Sequence, residues 1–97
     1  MQIVRHPELA DDIGAIAEHY ANVSDRVMDS FWVELDLILA SIERNPRSHH
    51  FDACGLRRAG FRRFPYHLLY DIDGDTIFLV VLRHDRPSPS FGIDRTS

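Results

Sequence analysis

Apolar residues follow one rhythm in the first half of the chain and another in the second, and each implies its own elements. Residues 2–5 are a short apolar segment, closed by His6 and Pro7, that can supply one strand of a sheet. Over residues 7–22, Leu9, Ile13, Ile16, Ala17 and Tyr20 recur at spacings of three and four. Pro7 suits a first helical position and Glu8, Asp11 and Asp12 sit near its positive end, so the pattern predicts an amphipathic helix. Ser24 then offers an N-cap, with Asp25 in the first turn, for a second helix built on Val27, Phe31, Leu35, Ile38 and Ile42 and broadened by Met28, Trp32 and Leu39. It should end near Asn45, because Pro46 disfavours helical geometry in the residue before it. A connection of only Asn22, Val23 and Ser24 predicts an antiparallel helical hairpin.

Residues 47–53 are polar and aperiodic and read as a crossover loop. Beyond them, residues 56–64 alternate imperfectly, 66–72 are rich in aromatic and aliphatic side chains, and 76–82 are almost continuously apolar, which predicts three strands. Asp73-Gly74 predicts a type I′ hairpin between the last two, and Pro65, which cannot donate to a ladder, a bend or bulge between the first two. The tail, with Pro87, Pro89, three serines and Gly92, should be loosely ordered from about residue 88. The order is therefore β-α-α-β-β-β: an α+β fold in one domain over residues 1–97, with a helical hairpin packed on one face of a small, mostly antiparallel sheet. Nothing in this order covers the opposite face. It is expected to stay open, to carry arginines of the second half, and to be where a partner meets the protein.

A chain of 97 residues, 44% hydrophobic and 27% charged, suits one small domain, and its longest apolar run, residues 77–82, is far below the roughly 18 residues of a membrane span. The first ten residues carry Arg5, His6 and Glu8 and no apolar leader core, so a cytoplasmic location is expected. The single cysteine, Cys54, excludes an internal disulfide and a paired-cysteine zinc knuckle. Net charge is −4, divided as −6 over residues 1–52 and +2 over 53–97, and all 11 basic residues are arginine. Arginine offers planar donors suited to phosphate or carboxylate, which favours an anionic partner for the second half; a coding bias toward arginine is the plainer account.

Residues 55–87, GLRRAGFRRFPYHLLYDIDGDTIFLVVLRHDRP, carry Arg62-Arg63 before Phe64-Pro65-Tyr66, a strand ending near Tyr70, an acidic-glycine hairpin at Asp73-Gly74, an apolar strand and a closing His84-Asp85-Arg86. This segment resembles the RelE/ParE superfamily of bacterial toxins, departing from it at Pro87, where the family often has a second basic residue. The resemblance implies the toxin of a type II toxin-antitoxin, or plasmid-stabilisation, module, held silent by a cognate antitoxin that wraps it with a flexible segment. Contact with operator DNA would then come only through the antitoxin. RelE-like members look like ribosome-dependent messenger-RNA endonucleases, and ParE-like members are associated with inhibition of DNA gyrase. The Phe-Pro-Tyr and His-x-Arg pattern is similar to ParE-like sequences, so DNA gyrase is the expected target, with growth arrest as the outcome. The alternatives are ribosome and messenger RNA as targets, or a degenerate member that binds antitoxin without toxicity.

A metal-independent nuclease needs an acid and a base, for one or the other of which His84 qualifies, and cations for the phosphorane, for which Arg63, Arg83 and Arg86 qualify. If 56–64 is a strand, neighbours point opposite ways, so Arg62 and Arg63 cannot both line one site, nor can Arg57 and Arg58. RelE-like nucleases also tend to have site lysines and a tail tyrosine. This chain has no lysine and only Phe91 in its tail, and His84 reads equally well as a capping residue at a strand end. The non-enzymatic reading needs only an adhesive surface, to which Arg57, Arg58, Arg62, Arg63, Tyr70 and Arg86 are assigned as target or antitoxin contacts. His49, His50, Asp52 and Cys54 crowd one short loop without a distant ligand pair, so no metal is expected, and no cofactor. Cys54 has no base beside it, Tyr66 shares a strand face with Tyr70, and Trp32 is expected in the core.

Overall fold

The computed structural model describes residues 1–86 and 93–96 and has the predicted order of elements. Strand β1 (Gln2–Arg5) leads into helices α1 (Leu9–Ala21) and α2 (Asp25–Arg44), followed by β2 (Arg57–Gly60), β3 (Tyr66–Asp73) and β4 (Thr76–His84). The sheet order is β1-β4-β3-β2, with β1 parallel to β4 and the other pairs antiparallel. Ser24 caps α2 as expected, its hydroxyl accepting from the Val27 N–H at 3.1 Å. The helical hairpin covers one sheet face. Between the layers lie Leu9, Ile13 and Ile16 of α1, Phe31, Leu35 and Ile42 of α2, and Leu68, Tyr70, Ile77, Leu79 and Leu82 of the sheet.

The first expected strand is much shorter than residues 56–64. Phe61 is buried and stacked 5.4 Å from Phe31, and Phe64 packs edge-on to Tyr20 at 4.8 Å, so both rings turn toward the helices. Alternation cannot place Phe61 and Phe64 on one face, and the chain leaves the ladder after Gly60. The loop is fixed by Glu34 on α2, whose two carboxylate oxygens accept the backbone N–H groups of Arg62 and Arg63 at 3.0 and 3.1 Å. The hairpin at the far end turns on Gly74 and Asp75, and only Gly74 has positive φ, at 59°. That is the pattern of a type II′ turn, not the expected type I′.

The outer sheet face is not open. A bulge opposite Leu69/Tyr70 turns both Val80 and Val81 outward, where they and Leu69 are buried with Leu56 against Cys54 and Ile93. The tail of the sequence reading falls partly on residues 87–92, outside the described residues; within it Ile93–Thr96 forms a 3₁₀ turn. Arg95 of that turn grips buried Asp12 of α1 at 2.7 and 3.1 Å and reaches the Val80 carbonyl. Asp12 in turn accepts from the Leu82 N–H at 3.3 Å. Trp32 is not core: it is 40% exposed and meets Phe31 only edge-on. Among the described residues no helix is long and apolar enough to cross a membrane.

Phe31 joins the layers through ring contacts with Tyr20, Trp32, Phe61 and Phe64 and has no exposed surface. Phe31→Ala should therefore lower unfolding free energy by about 3–5 kcal/mol in urea denaturation, whereas Trp32→Ala, losing a half-exposed ring, should cost clearly less. Equal losses would contradict the packing described.

Candidate functional site

The densest polar chemistry lies on the outer face, at the end of the sheet where β2 and β4 finish and β3 begins. Arg83 of β4 is only 5% exposed. A guanidinium so placed needs full pairing, because burying an unpaired charge is prohibitive. Its Nε donates to His67 Nε2 at 2.7 Å and its Nη2 to Asp52 Oδ2 at 3.0 Å. His67, on β3 and equally buried, donates from Nδ1 to Asp85 Oδ1 at 2.7 Å. Arg58 of β2 closes the circle, reaching Asp52 Oδ1 at 3.1 Å and Asp85 Oδ1 at 3.3 Å. Five side chains thus form a ring: Arg58, Asp52, Arg83, His67 and Asp85.

The ring fixes protonation states. Since Arg83 has only N–H groups to give, His67 Nε2 must accept, and the imidazole is neutral with its proton on Nδ1. Burial pushes the His67 pKa below its ordinary 6.5; the hydrogen bond to Asp85 opposes this, and the charges of Arg58 and Arg83 add to it. Burial alone would raise Asp52, but the Cys54 backbone N–H and thiol, Arg58 and Arg83 together hold its carboxyl well below the usual carboxylate range. Burial raises the Cys54 thiol, so it is not an activated nucleophile.

The expected catalytic side chains do not converge. Arg83 points to the outer face and is engaged in the ring, whereas its neighbour His84 points to the helix side, its ring 5.1 Å from that of Tyr66. Arg63 lies in the loop beside α2. One pair stays together: His84 Nδ1 accepts from the Arg86 backbone N–H at 3.1 Å, with Arg86 exposed.

The expected contact residues also separate. Arg57 and Arg58 do face opposite ways. Arg57 stacks over Phe51 at 4.3 Å and donates to the carbonyls of Arg47 and His49, so it pins the crossover loop. Tyr70 is a correction: it has no exposed surface, its hydroxyl donates to the Pro46 carbonyl, and burial pushes its pKa up to about 12. A phenol sealed by a two-layer core cannot meet a partner. Arg62 and Arg63 do not diverge as alternation on a strand would require: they lie in a loop and both line a groove against α2 with Arg26, Val33 and Leu37. Among the described residues no group of His, Cys, Asp and Glu is placed to hold a metal ion. His49 instead pairs its Nε2 with the Ser41 hydroxyl at 3.2 Å.

Sequence reasoning passed over His67, Asp52 as an ion-pair partner, and Glu34. A signal existed for the first: a lone histidine inside the apolar run 66–72 of a covered strand must find hydrogen-bond partners.

Two predictions follow from the ring. The folded chain takes up the His67 proton less readily than the unfolded chain, so its contribution to stability is present above about pH 6.5 and is lost as pH falls through that value. In urea denaturation between pH 7.5 and 5, wild type should lose stability as pH falls, with His67 contributing a slope of up to about 1.4 kcal/mol per pH unit. His67→Gln, whose amide can both accept from Arg83 and donate to Asp85, should flatten that slope; His49, also lowered by burial, supplies what remains. An unchanged slope would remove His67 from the account. Asp52→Asn leaves the buried Arg83 charge without its carboxylate and should cost about 3–5 kcal/mol in the same assay at pH 7.

No protein-family model and no curated protein matches this sequence. The solved structures give a match: a chain of "Chromosomal ParDE TA system from P. aeruginosa" superposes with a TM-score of 0.73 at 15% identity, over 87% of this chain and 95% of that one. At that identity the likeness establishes architecture, and the chain has the RelE/ParE-like α+β fold.

Proposed function

We propose that this chain is the toxin of a type II toxin-antitoxin module, that it is ParE-like, and that it acts in the cytoplasm by binding DNA gyrase until a cognate antitoxin neutralises it. The observation that carries this reading is the fold shared with a chain of a ParDE toxin-antitoxin system. The choice of protein contact over catalysis is supported by the ring: Arg83, the most central of the candidate cations, is buried and engaged with Asp52 and His67, and cannot approach a phosphate without dismantling a network of charges. His84 and Arg63 lie on other faces, so among the described residues no acid, base and phosphate clamp are assembled around one point. A surface that holds its target by contact has no such requirement.

The second reading, a ribosome-dependent endonuclease, rests on the one surviving pair, His84 beside exposed Arg86 at the end of β4. Induced expression without antitoxin, followed by pulse labelling of DNA and protein synthesis, separates the two. DNA synthesis should stop first with messages intact, and the double variant His84→Ala, Arg86→Ala should still arrest growth if it retains the wild-type melting temperature. An early fall in translation with cleaved messages, abolished by that variant, would replace gyrase with the ribosome as target. Absence of any growth defect would mark a member that binds antitoxin without toxicity.

A further inference from the structure

Near the end of α2 a serine hydroxyl and an imidazole meet away from the ring and the core. Ser41 Oγ lies 3.2 Å from His49 Nε2, and both residues are half-buried. A serine inside a helix commonly gives its proton to the carbonyl four residues back. Ser30, earlier on α2, does so, donating to the Arg26 carbonyl at 3.0 Å. Ser41 makes no such bond among the described residues and turns to the crossover loop, where a neutral imidazole can accept its proton. His49 is fixed from two sides: Arg57 Nη1 donates to its carbonyl at 2.9 Å, and the Tyr70 ring stands edge-on at 5.9 Å. The ionisable groups around it are Arg44 of α2, Arg57 of β2, Tyr70 of β3 and the adjacent His50. Burial, with the charges of Arg57 and His50, lowers its pKa below the ordinary 6.5, so the ring is neutral at pH 7.

The pair lines a cleft of about 460 Å³ between α2 and β2, together with Arg44, Gly60 and Arg62. Among the described residues Arg44 and Arg62 form no ion pair. Glu34, the carboxylate in the cleft, is engaged by the backbone N–H groups of Arg62 and Arg63 and not by the arginine side chains. The cleft therefore offers planar cationic donors suited to a carboxylate. It also offers a backbone donor. β2 is an edge strand, and the Arg58 N–H leaves the ladder for the His50 carbonyl. In an antiparallel pair the residue two positions on points its N–H the same way, so that of Gly60 faces the edge and is available to a developing oxyanion. A hydroxyl within reach of a neutral imidazole, beside such a donor, is the arrangement of an activated nucleophile. One imidazole that takes a proton and later returns it suits two successive acyl-transfer steps, whereas RNA cleavage draws on an acid and a base together.

We propose that Ser41 and His49 are a nucleophile and its base, and that they hydrolyse carboxylic esters whose acyl group carries a further negative charge. Ser41 Oγ attacks the carbonyl carbon as its proton passes to His49 Nε2, and the alcohol leaves with that proton. Water, deprotonated by His49 in turn, then breaks the acyl bond to Ser41, releasing the acid and returning the proton to the serine. The purified full chain treated with diisopropyl fluorophosphate should carry the phosphoryl adduct on Ser41 and not on Ser30, as read by mass spectrometry. An unlabelled Ser41, or equal labelling of the two serines, would overturn the pair without recourse to a variant. With mono-4-nitrophenyl adipate the chain should release 4-nitrophenolate at a rate that falls as pH drops through a value below 6.5, because a protonated His49 cannot accept. Release should be about a hundredfold slower after His49→Gln and at the buffer rate after Ser41→Ala, in variants that keep the wild-type melting temperature. Arg62→Gln should lower the preference for the adipate over 4-nitrophenyl acetate about tenfold. Release indifferent to His49→Gln would overturn the base, and an unaltered preference the substrate class. None of these readouts involves growth arrest or a partner, so the toxin reading stands or falls separately.

Discussion

The ring of Arg58, Asp52, Arg83, His67 and Asp85 joins pieces of chain that otherwise have little reason to stay together. Asp52 belongs to the crossover loop, Arg58 to the edge strand β2, His67 and Arg83 to the central pair, and Asp85 to the segment after β4. Hydrogen bonding within a ring of alternating acceptors and donors satisfies every member, and among the described residues no buried side-chain nitrogen or oxygen lacks a partner. The arrangement demands mutual consistency: a buried arginine is tolerable only beside Asp52, and Asp52 stays ionised in its partly buried place only because two arginines and the Cys54 N–H face it.

Anchoring Asp52 has structural effects beyond the ring. The loop from Pro46 onward is held at several further points, by Tyr70 at Pro46 and by Arg57 at Arg47 and His49, and its course brings Leu56 and Cys54 over Leu69, Val80 and Val81. A two-layer protein thereby acquires a thin third layer from its connections. The outer face around Leu69, Val80 and Val81 becomes interior, and exposed arginines stand instead at α2 and the 61–63 loop.

The two helices were legible because spacings of three and four survive any tertiary context, and Ser24 and Pro46 mark the limits of α2 within a residue or two. The apolar strands β3 and β4 were legible for a similar reason. Where the reading failed, a long-range contact decided the outcome. Phe61 and Phe64 look like strand residues until Phe31 and Tyr20 draw both rings to one side, and Glu34, 28 positions before Arg62, holds the backbone that lets them turn. Trp32 fits the apolar face of a helical wheel, but the core needs only the arc centred on Phe31 and Leu35. Arg83 looked available for a phosphate because sequence does not reveal that a bulge and a covering loop bury the outer face around it, and Tyr70 looked available for contact because sequence does not reveal that its hydroxyl reaches the Pro46 carbonyl from inside the helix-side core. The ring was invisible as a unit: its members span residues 52–85, and only the fold brings them together.

Strand β1 is short, pairing with β4 only as far as Arg5 opposite Leu79, so a central strand becomes an edge for the rest of its length. Such a bare stretch of N–H and C=O groups is a template on which a foreign strand can grow. Here the Asp12 carboxylate occupies the Leu82 N–H and the Arg95 guanidinium the Val80 carbonyl, each locked to the other. One ion pair between the first helix and the last turn thus covers this stretch of β4, with side chains where other proteins would need another strand.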